Sequence, residues 1–104
     1  MIDLQDKVAI VTGGAHGIGR AISEAFAAAG AAVFVADIDA DAGAAAASSI
    51  RDKGGDATFC RADVSVEADA IACVNAAAKG RDRIDVLCNN AARFLRLNAA
   101  VCAP

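Results

Sequence analysis

The chain has no tyrosine and no tryptophan, and it has only one proline and one histidine among its 104 residues. Without tyrosine, these residues offer no phenol as a proton donor. No two basic residues are adjacent and the formal net charge is −3, so we expect no nucleic-acid partner. No apolar run approaches the roughly 20 residues of a membrane-spanning helix. We therefore expect a cytoplasmic protein that makes no membrane contact.

Cysteine is present, but without the spacing of a metal site. Cys60, Cys73, Cys88 and Cys102 form no Cys-x-x-Cys pair, and the single histidine lies in a glycine-rich segment. We therefore predict no metal site. We interpret the first three cysteines as small buried apolar residues and Cys102 as an exposed thiol.

Glycine is concentrated in the segment from Thr12 to Gly19, which follows the apolar run 8–11 and precedes an alanine-rich stretch. A tight turn after a strand favours glycine, because glycine takes positive φ without steric cost. A loop with few side chains also lets backbone N–H groups approach a pyrophosphate at the start of the next helix. The segment therefore predicts a binding loop for the phosphates of a nucleotide.

Short apolar runs alternate with amphipathic stretches along the chain. The pattern predicts strands at 7–12, 32–36, 57–60 and 84–88, with helices near 17–29, 39–53 and 66–79. Gly30 is the expected left-handed cap of the first helix, Asp39 or Asp41 caps the second, and Ser65 caps the third. This βαβαβαβ order predicts one α/β domain with a parallel sheet and right-handed crossovers.

The chain resembles the short-chain dehydrogenase/reductase family from Lys7 to Ala92. The resemblance rests on four motifs in order: Thr-Gly-x-x-x-Gly-x-Gly from Thr12 to Gly19, Asp37 after the second strand, Asp63-Val64 after the third, and Asn89-Asn90-Ala91-Ala92 after the fourth. The last departs from the family's usual Asn-Asn-Ala-Gly. The resemblance implies a partial Rossmann fold with strand order 3-2-1-4, in which residues 1–92 form the NAD-binding half.

The resemblance also implies the roles of single residues in binding a dinucleotide. The pyrophosphate loop comprises Gly13, Gly17, Ile18 and Gly19, and His16 lies within it. Asp37 accepts hydrogen bonds from the adenosine ribose, while Asp63 and the Val64 backbone contact adenine. Asn89 and the Ala91 backbone lie against the nicotinamide-side ribose.

The expected cofactor is NAD rather than NADP. A carboxylate at position 37 repels a 2′-phosphate, and no arginine or lysine lies between residues 21 and 49 to offset that repulsion. His16 could approach a 2′-phosphate, but a neutral imidazole is a weak substitute for arginine.

The family's catalytic residues have no counterpart in this sequence. The resemblance implies hydride transfer between a nicotinamide and an alcohol or carbonyl substrate, with the tyrosine of Tyr-x-x-x-Lys and an upstream serine handling the proton. We therefore predict no catalytic residue here, and a chain that is inactive alone. Residues 93–104 are interpreted as a divergent tail, and we hypothesise a shifted reading frame or a shortened gene after Ala92.

Three functions stay open: a fragment of an oxidoreductase, a non-catalytic NAD-binding module or half-fold completed by a partner chain, and a nonfunctional truncated product. With the order 3-2-1-4, the apolar fourth strand is expected to form an exposed sheet edge. Such an edge favours pairing with another chain, so we expect self-association through this strand.

Overall fold

The computed structural model describes residues 3–63, 65–79, 84–89 and 100–102. Strands alternate with helices as predicted from the sequence. The elements are β1 (Val8–Thr12), α1 (Gly17–Ala28), β2 (Ala32–Asp37), α2 (Ala40–Asp52), β3 (Asp56–Arg61), α3 (Glu67–Ala78), β4 (Val86–Asn89) and β5 (Ala100–Cys102).

All neighbouring strands run parallel, in the order β3-β2-β1-β4-β5. The predicted order of the first four strands is confirmed. The expectation that the fourth strand forms the edge is wrong, because β5 pairs with β4 from Val86↔Ala100 to Cys88↔Cys102. Only one residue of β5 is β-branched, so its sequence gives little indication of a strand. The strand is stabilised by backbone pairing with β4 rather than by intrinsic β propensity.

The sheet is covered by helices on both faces. On one face Val11, Val33 and Val35 pack with the buried side of α1 and α2, where Ala47 and Ile50 are nearly inaccessible. The opposite face packs against the alanine-rich side of α3. Because β1 is buried on both faces, it reads as a continuous apolar run, as strands in parallel sheets do.

Small residues allow the helices to lie close to the sheet. Gly43 of α2 faces the ring of Phe59 on β3, and that ring occupies the space where a Cβ of residue 43 would lie. The Phe59 ring of β3 therefore fits against α2 because residue 43 has no side chain.

The helix ends follow two of the three capping signals in the sequence. Gly30 has φ +103° after α1, and the Asp39 carboxylate caps α2 by accepting the N–H of Ala42. The prediction that Ser65 caps α3 is wrong: Val66 holds that position and makes no side-chain capping bond. Within the described ranges, no helix combines the length and apolar character needed to cross a membrane.

Candidate functional site

Four adjacent strands end at one edge of the sheet. In the parallel register Thr12 of β1 lies beside Ala36 and Asn89, and Asp37 of β2 lies beside Arg61 of β3. The connections that follow these strands therefore meet at the same carboxyl edge. In open α/β sheets, this is the edge at which ligands bind.

The glycine-rich loop connects β1 to α1 at this edge. Gly13 has φ +63° and Gly17 has φ +51°, in the left-handed region that glycine tolerates. Among the described residues beyond its own helical turn and chain neighbours, no atom lies within 4 Å of the place where a Cβ of Gly17 would be, so its backbone is open to approach. This open backbone stands at the first turn of α1, where N–H groups lack partners within the helix and the helix dipole favours an anion.

The base of the loop is tightly packed. A Cβ on Gly14 would lie 2.9 Å from Ser23 Oγ, 2.9 Å from the Val11 carbonyl oxygen and 3.1 Å from Val35 Cγ1. The buried Ser23 hydroxyl in turn donates to the Gly19 carbonyl at 2.9 Å. Because Gly14 has no side chain, the loop packs directly against the end of β1 and the first turns of α1.

Asp37 joins the glycine-rich loop to the end of β2. Asp37 is only 8% exposed, and its Oδ2 accepts the N–H of Ala15 at 3.1 Å. Its Oδ1 accepts the N–H of Asp39 at 3.0 Å. Each carboxylate oxygen retains a second lone pair, so Asp37 has the capacity to accept hydroxyl groups from a ligand as well.

His16 and Asp39 form a pair across two loops. The His16 Nε2 lies 3.0 Å from Asp39 Oδ2, with the two side chains 64% and 44% exposed. The N–H of Ala42 and the bond to His16 both lower the pKa of Asp39, so this carboxylate is ionised at neutral pH. Asp37 and Asp39 thus place two carboxylates beside the loop, and the His16 imidazole lies against the outer one.

Asp63 follows β3 and is engaged in a local turn. Its Oδ1 accepts the Ser65 hydroxyl at 2.6 Å and the Ser65 N–H at 3.0 Å. Its own N–H donates to Asp69 Oδ2, so the turn is also tied to the first turn of α3. The hydroxyl bond from Ser65 is the largest cause that lowers the Asp63 pKa, followed by the Ser65 N–H and then the charge of Arg61.

The Ser65→Ala substitution is expected to raise the pKa of Asp63 toward the ordinary aspartate value, because it removes the largest cause of the shift. The measurement is an NMR titration of the Asp63 carboxyl carbon, with Ser48→Ala on the exposed side of α2 as the control. A lowered pKa contributes stability above the unfolded-state pKa, and that contribution is lost as pH falls below about 4. The variant should therefore be less stable than the parent at neutral pH and match it in acid. An unchanged Asp63 pKa would contradict this assignment.

Two large apolar side chains are exposed at the same edge. Ile18 in the first turn of α1 is 73% exposed, and Ile38, directly after Asp37, is 56% exposed. Exposed isoleucines on either side of a polar loop offer apolar surface that a ring system can cover.

The structure brings most of the predicted site residues to one edge. The glycine-rich loop with Gly13, His16, Gly17, Ile18 and Gly19, together with Asp37, Asp63 and Asn89, lies at the carboxyl edge. Val64 and Ala91 lie outside the described residues, and Asn89 is described only as the last residue of β4. The sequence interpretation missed Ile38 and Asp39. Ile38 could have been identified from its position directly after Asp37. The contact between Asp39 and His16 could not, because no sequence pattern indicates it.

Comparison with protein families gives a match over most of the chain. The family model described as short chain dehydrogenase matches residues 7–101. The sex determination protein tasselseed-2 of Zea mays is 53% identical over 89 residues, which are 85% of this chain and 26% of that protein. The 7alpha-hydroxysteroid dehydrogenase of Escherichia coli is 42% identical over 88 residues, 85% of this chain and 34% of that enzyme. The chain thus spans about a quarter to a third of the length of these relatives.

Solved structures give the same likeness. A 7 alpha-hydroxysteroid dehydrogenase complexed with NADH and 7-oxo glycochenodeoxycholic acid superposes with a TM-score of 0.81 at 41% identity, over 85% of this chain and 34% of that one. A hydroxysteroid dehydrogenase from Escherichia coli gives the same TM-score and identity, with 37% of its chain covered.

Proposed function

Because the chain belongs to the short-chain dehydrogenase family, we propose that its 104 residues bind NAD as the cofactor half of an oxidoreductase acting on an alcohol or carbonyl substrate. The observation that carries the proposal is the juxtaposition of an open glycine-rich loop, a buried carboxylate and exposed isoleucines at one sheet edge. A solved relative complexed with NADH supports a nicotinamide dinucleotide as the ligand class.

The loop fits the pyrophosphate of such a ligand. Positive φ at Gly13 and Gly17 turns the backbone, and among the described residues beyond this turn nothing crowds the position of a Gly17 Cβ. In this proposal the N–H groups at the start of α1 donate to phosphate oxygens, and the helix dipole favours their charge.

The adenosine half fits the ends of β2 and β3. We assign the ribose hydroxyls to the Asp37 carboxylate, whose position is held by the N–H groups of Ala15 and Asp39. Ile38 would lie against the adenine ring, and Asp63 would accept the adenine amino group. For the contacts that the family resemblance implies, we keep the Val64 backbone at the adenine, and Asn89 with the Ala91 backbone at the nicotinamide-side ribose.

NAD is proposed over NADP on electrostatic grounds. A 2′-phosphate would enter beside the carboxylates of Asp37 and Asp39, and both are acceptors rather than donors. Arg61 lies next to Asp37 in the register, but its guanidinium is 3.9 Å from the Asp69 carboxylate, which offsets its charge.

NAD, when bound, supplies the hydride acceptor and NADH the hydride donor. The accompanying proton needs a general acid or base, and these 104 residues contain no tyrosine for the role that the family assigns to it. We therefore propose that these residues hold the cofactor and do not turn over substrate alone.

Calorimetric titration with NAD, NADP and ADP-ribose tests the proposal. We expect NAD and ADP-ribose to bind with similar affinity, because the assigned contacts lie mainly on the adenosine diphosphate half, and we expect NADP to bind more weakly. An Ile38→Ser variant should weaken all three ligands, whereas Ile71→Ser on the exposed side of α3 should not. Absence of NAD binding by the folded chain would overturn the proposal and favour a nonfunctional product.

A half-fold completed by a partner chain is the second proposal. Dehydrogenase activity that appears only when the C-terminal part of a relative is added would favour the oxidoreductase fragment over this second proposal. Self-association remains a proposal too, with β5 rather than β4 as the edge of the described sheet, and light scattering tests it. The cytoplasmic location stays a prediction from the sequence.

A further inference from the structure

Asp63 lies in the turn between β3 and α3, at an accessible end of the sheet. Arg61 is exposed and Cys60 is partly exposed, because β3 is an outer strand of the described sheet. The interpretation of Cys60 as a buried residue is therefore wrong. Asp63 itself is half-buried, so a ligand bound beyond the strand ends can reach its carboxylate.

Hydrogen bonds hold the backbone of Asp63 on both sides. Its N–H donates to Asp69 Oδ2 at 3.0 Å, and its carbonyl oxygen accepts the N–H of Val66 at 2.9 Å. One residue earlier, the N–H of Ala62 donates to the Asp37 carbonyl oxygen at 3.0 Å, which ties the turn to the end of β2. With the main chain held in this way, the orientation of the Asp63 carboxylate depends on the rotation of its own side chain.

Ser65 supplies the bonds that fix this rotation. Asp63 Oδ1 accepts the Ser65 hydroxyl at 2.6 Å and the Ser65 N–H at 3.0 Å. These two donors occupy both lone pairs of Oδ1. Within the described part of the chain no donor bonds to Oδ2, so Oδ2 is the oxygen that remains for a ligand. The N–H bond is made by the backbone of residue 65 whatever its side chain, and only the hydroxyl bond requires serine.

We propose that Ser65 is a positioning residue, which holds Asp63 so that Oδ2 accepts the 6-amino group of adenine and disfavours a 6-oxo purine. This inference rests on the proposed function, which assigns the adenine amino group to Asp63. The amino group of adenine is a donor, whereas the O6 atom of hypoxanthine only accepts. A carboxylate oxygen held opposite position 6 therefore attracts the first purine and repels the second, and a site built for a donor rejects the analogue that lacks it.

Removal of the Ser65 hydroxyl frees the carboxylate to rotate. In Ser65→Ala the N–H of residue 65 is the one donor left to Oδ1, so the Asp63 side chain is able to pivot about that bond. A pivoting carboxylate accepts the N1–H group of hypoxanthine, which lies beside position 6, as well as the amino group of adenine. The variant should therefore lose selectivity between the two purines rather than lose affinity for both alike.

Calorimetric titration of the full chain with NAD and with nicotinamide hypoxanthine dinucleotide tests the inference, because these ligands differ only in the purine. The measured quantity is the ratio of the two affinities at neutral pH, where the Asp63 carboxylate is ionised with or without the hydroxyl. We expect the parent chain to prefer NAD, and Ser65→Ala to reduce the ratio about threefold to tenfold. Ser65→Thr keeps the hydroxyl at an exposed position that has room for a methyl group, so it should keep the parent ratio.

Two further variants show whether the serine acts through the carboxylate. In an Asp63→Ala background, Ser65→Ala should leave the ratio unchanged, because no carboxylate remains to be positioned. Ser48→Ala, an exposed serine of α2, is the matched control and should keep the parent ratio.

The outcomes separate this inference from the proposed function. A ratio that stays at the parent value in Ser65→Ala, while NAD still binds, would overturn the inference and leave the proposed function standing. Equal affinity of the parent chain for the two dinucleotides would do the same. Absence of binding of either dinucleotide to the folded parent chain would overturn both.

Discussion

The Asp37→Asn substitution is expected to lower the free energy of unfolding by about 1–3 kcal/mol and to weaken NAD binding about tenfold or more. The two carboxylate oxygens accept one backbone N–H each, from Ala15 and from Asp39. Asparagine has the same shape but one acceptor oxygen, so its NH₂ group must face one of these N–H donors. Because residue 37 is buried, water cannot fully replace the lost acceptor. Urea unfolding and calorimetric titration measure the two effects.

Asp41→Asn is the matched control for this prediction. Asp41 is exposed in the first turn of α2, so the substitution removes the same charge near the same edge without touching the Asp37 bonds. We expect it to change stability and NAD affinity only slightly.

Asp37→Asn should also reduce the ratio of NAD affinity to NADP affinity, because it removes a charge that repels a 2′-phosphate. A variant as stable as the parent would contradict the assigned role of Asp37 as a brace between two loops.

The fold was largely predictable because its signals are local. Runs of β-branched residues mark β1 and β2, positive-φ glycines stop α1 and α2, and the Asp39 cap starts α2. The strand order came from the family resemblance and was confirmed. β5 was missed because its three residues carry almost no propensity, and a strand of that kind depends on a partner distant in sequence.

The candidate site was predictable in its residues and not in its internal bonds. A strand end followed by Asp37 or Asp63 can be read from the sequence, but the donors that these carboxylates meet depend on how two loops fold against each other. Ala15 and Asp37 are 22 residues apart, and His16 and Asp39 are 23 apart. Ser65 illustrates the same limit on a smaller scale: its hydroxyl bonds Asp63 instead of capping α3, because the helix begins one residue later than predicted.

The Gly14→Ala substitution is expected to lower the free energy of unfolding by about 1–3 kcal/mol, as overpacking of a buried site does. The new methyl group would meet Ser23 Oγ and the Val11 carbonyl oxygen at 2.9 Å, and Val35 Cγ1 at 3.1 Å. Ser23 could move only by giving up its buried bond to Gly19, and the Val11 carbonyl belongs to the backbone of β1. The loop must therefore shift. Urea unfolding of the variant measures the cost.

Gly17→Ala separates packing at the loop from access to it. In the part of the chain that the structure describes, no atom beyond its own helical turn and chain neighbours lies within 4 Å of the added methyl group, so the strain of φ +51° is what opposes it, about 1–2 kcal/mol. That methyl group would stand where we propose a phosphate approaches, so Gly17→Ala should lose more NAD affinity than stability. In Gly14→Ala, adding Ser23→Ala should restore only part of the stability, since the Val11 carbonyl still meets the methyl group. Full stability in Gly14→Ala, or unchanged NAD affinity in Gly17→Ala, would contradict this division of roles between the two glycines.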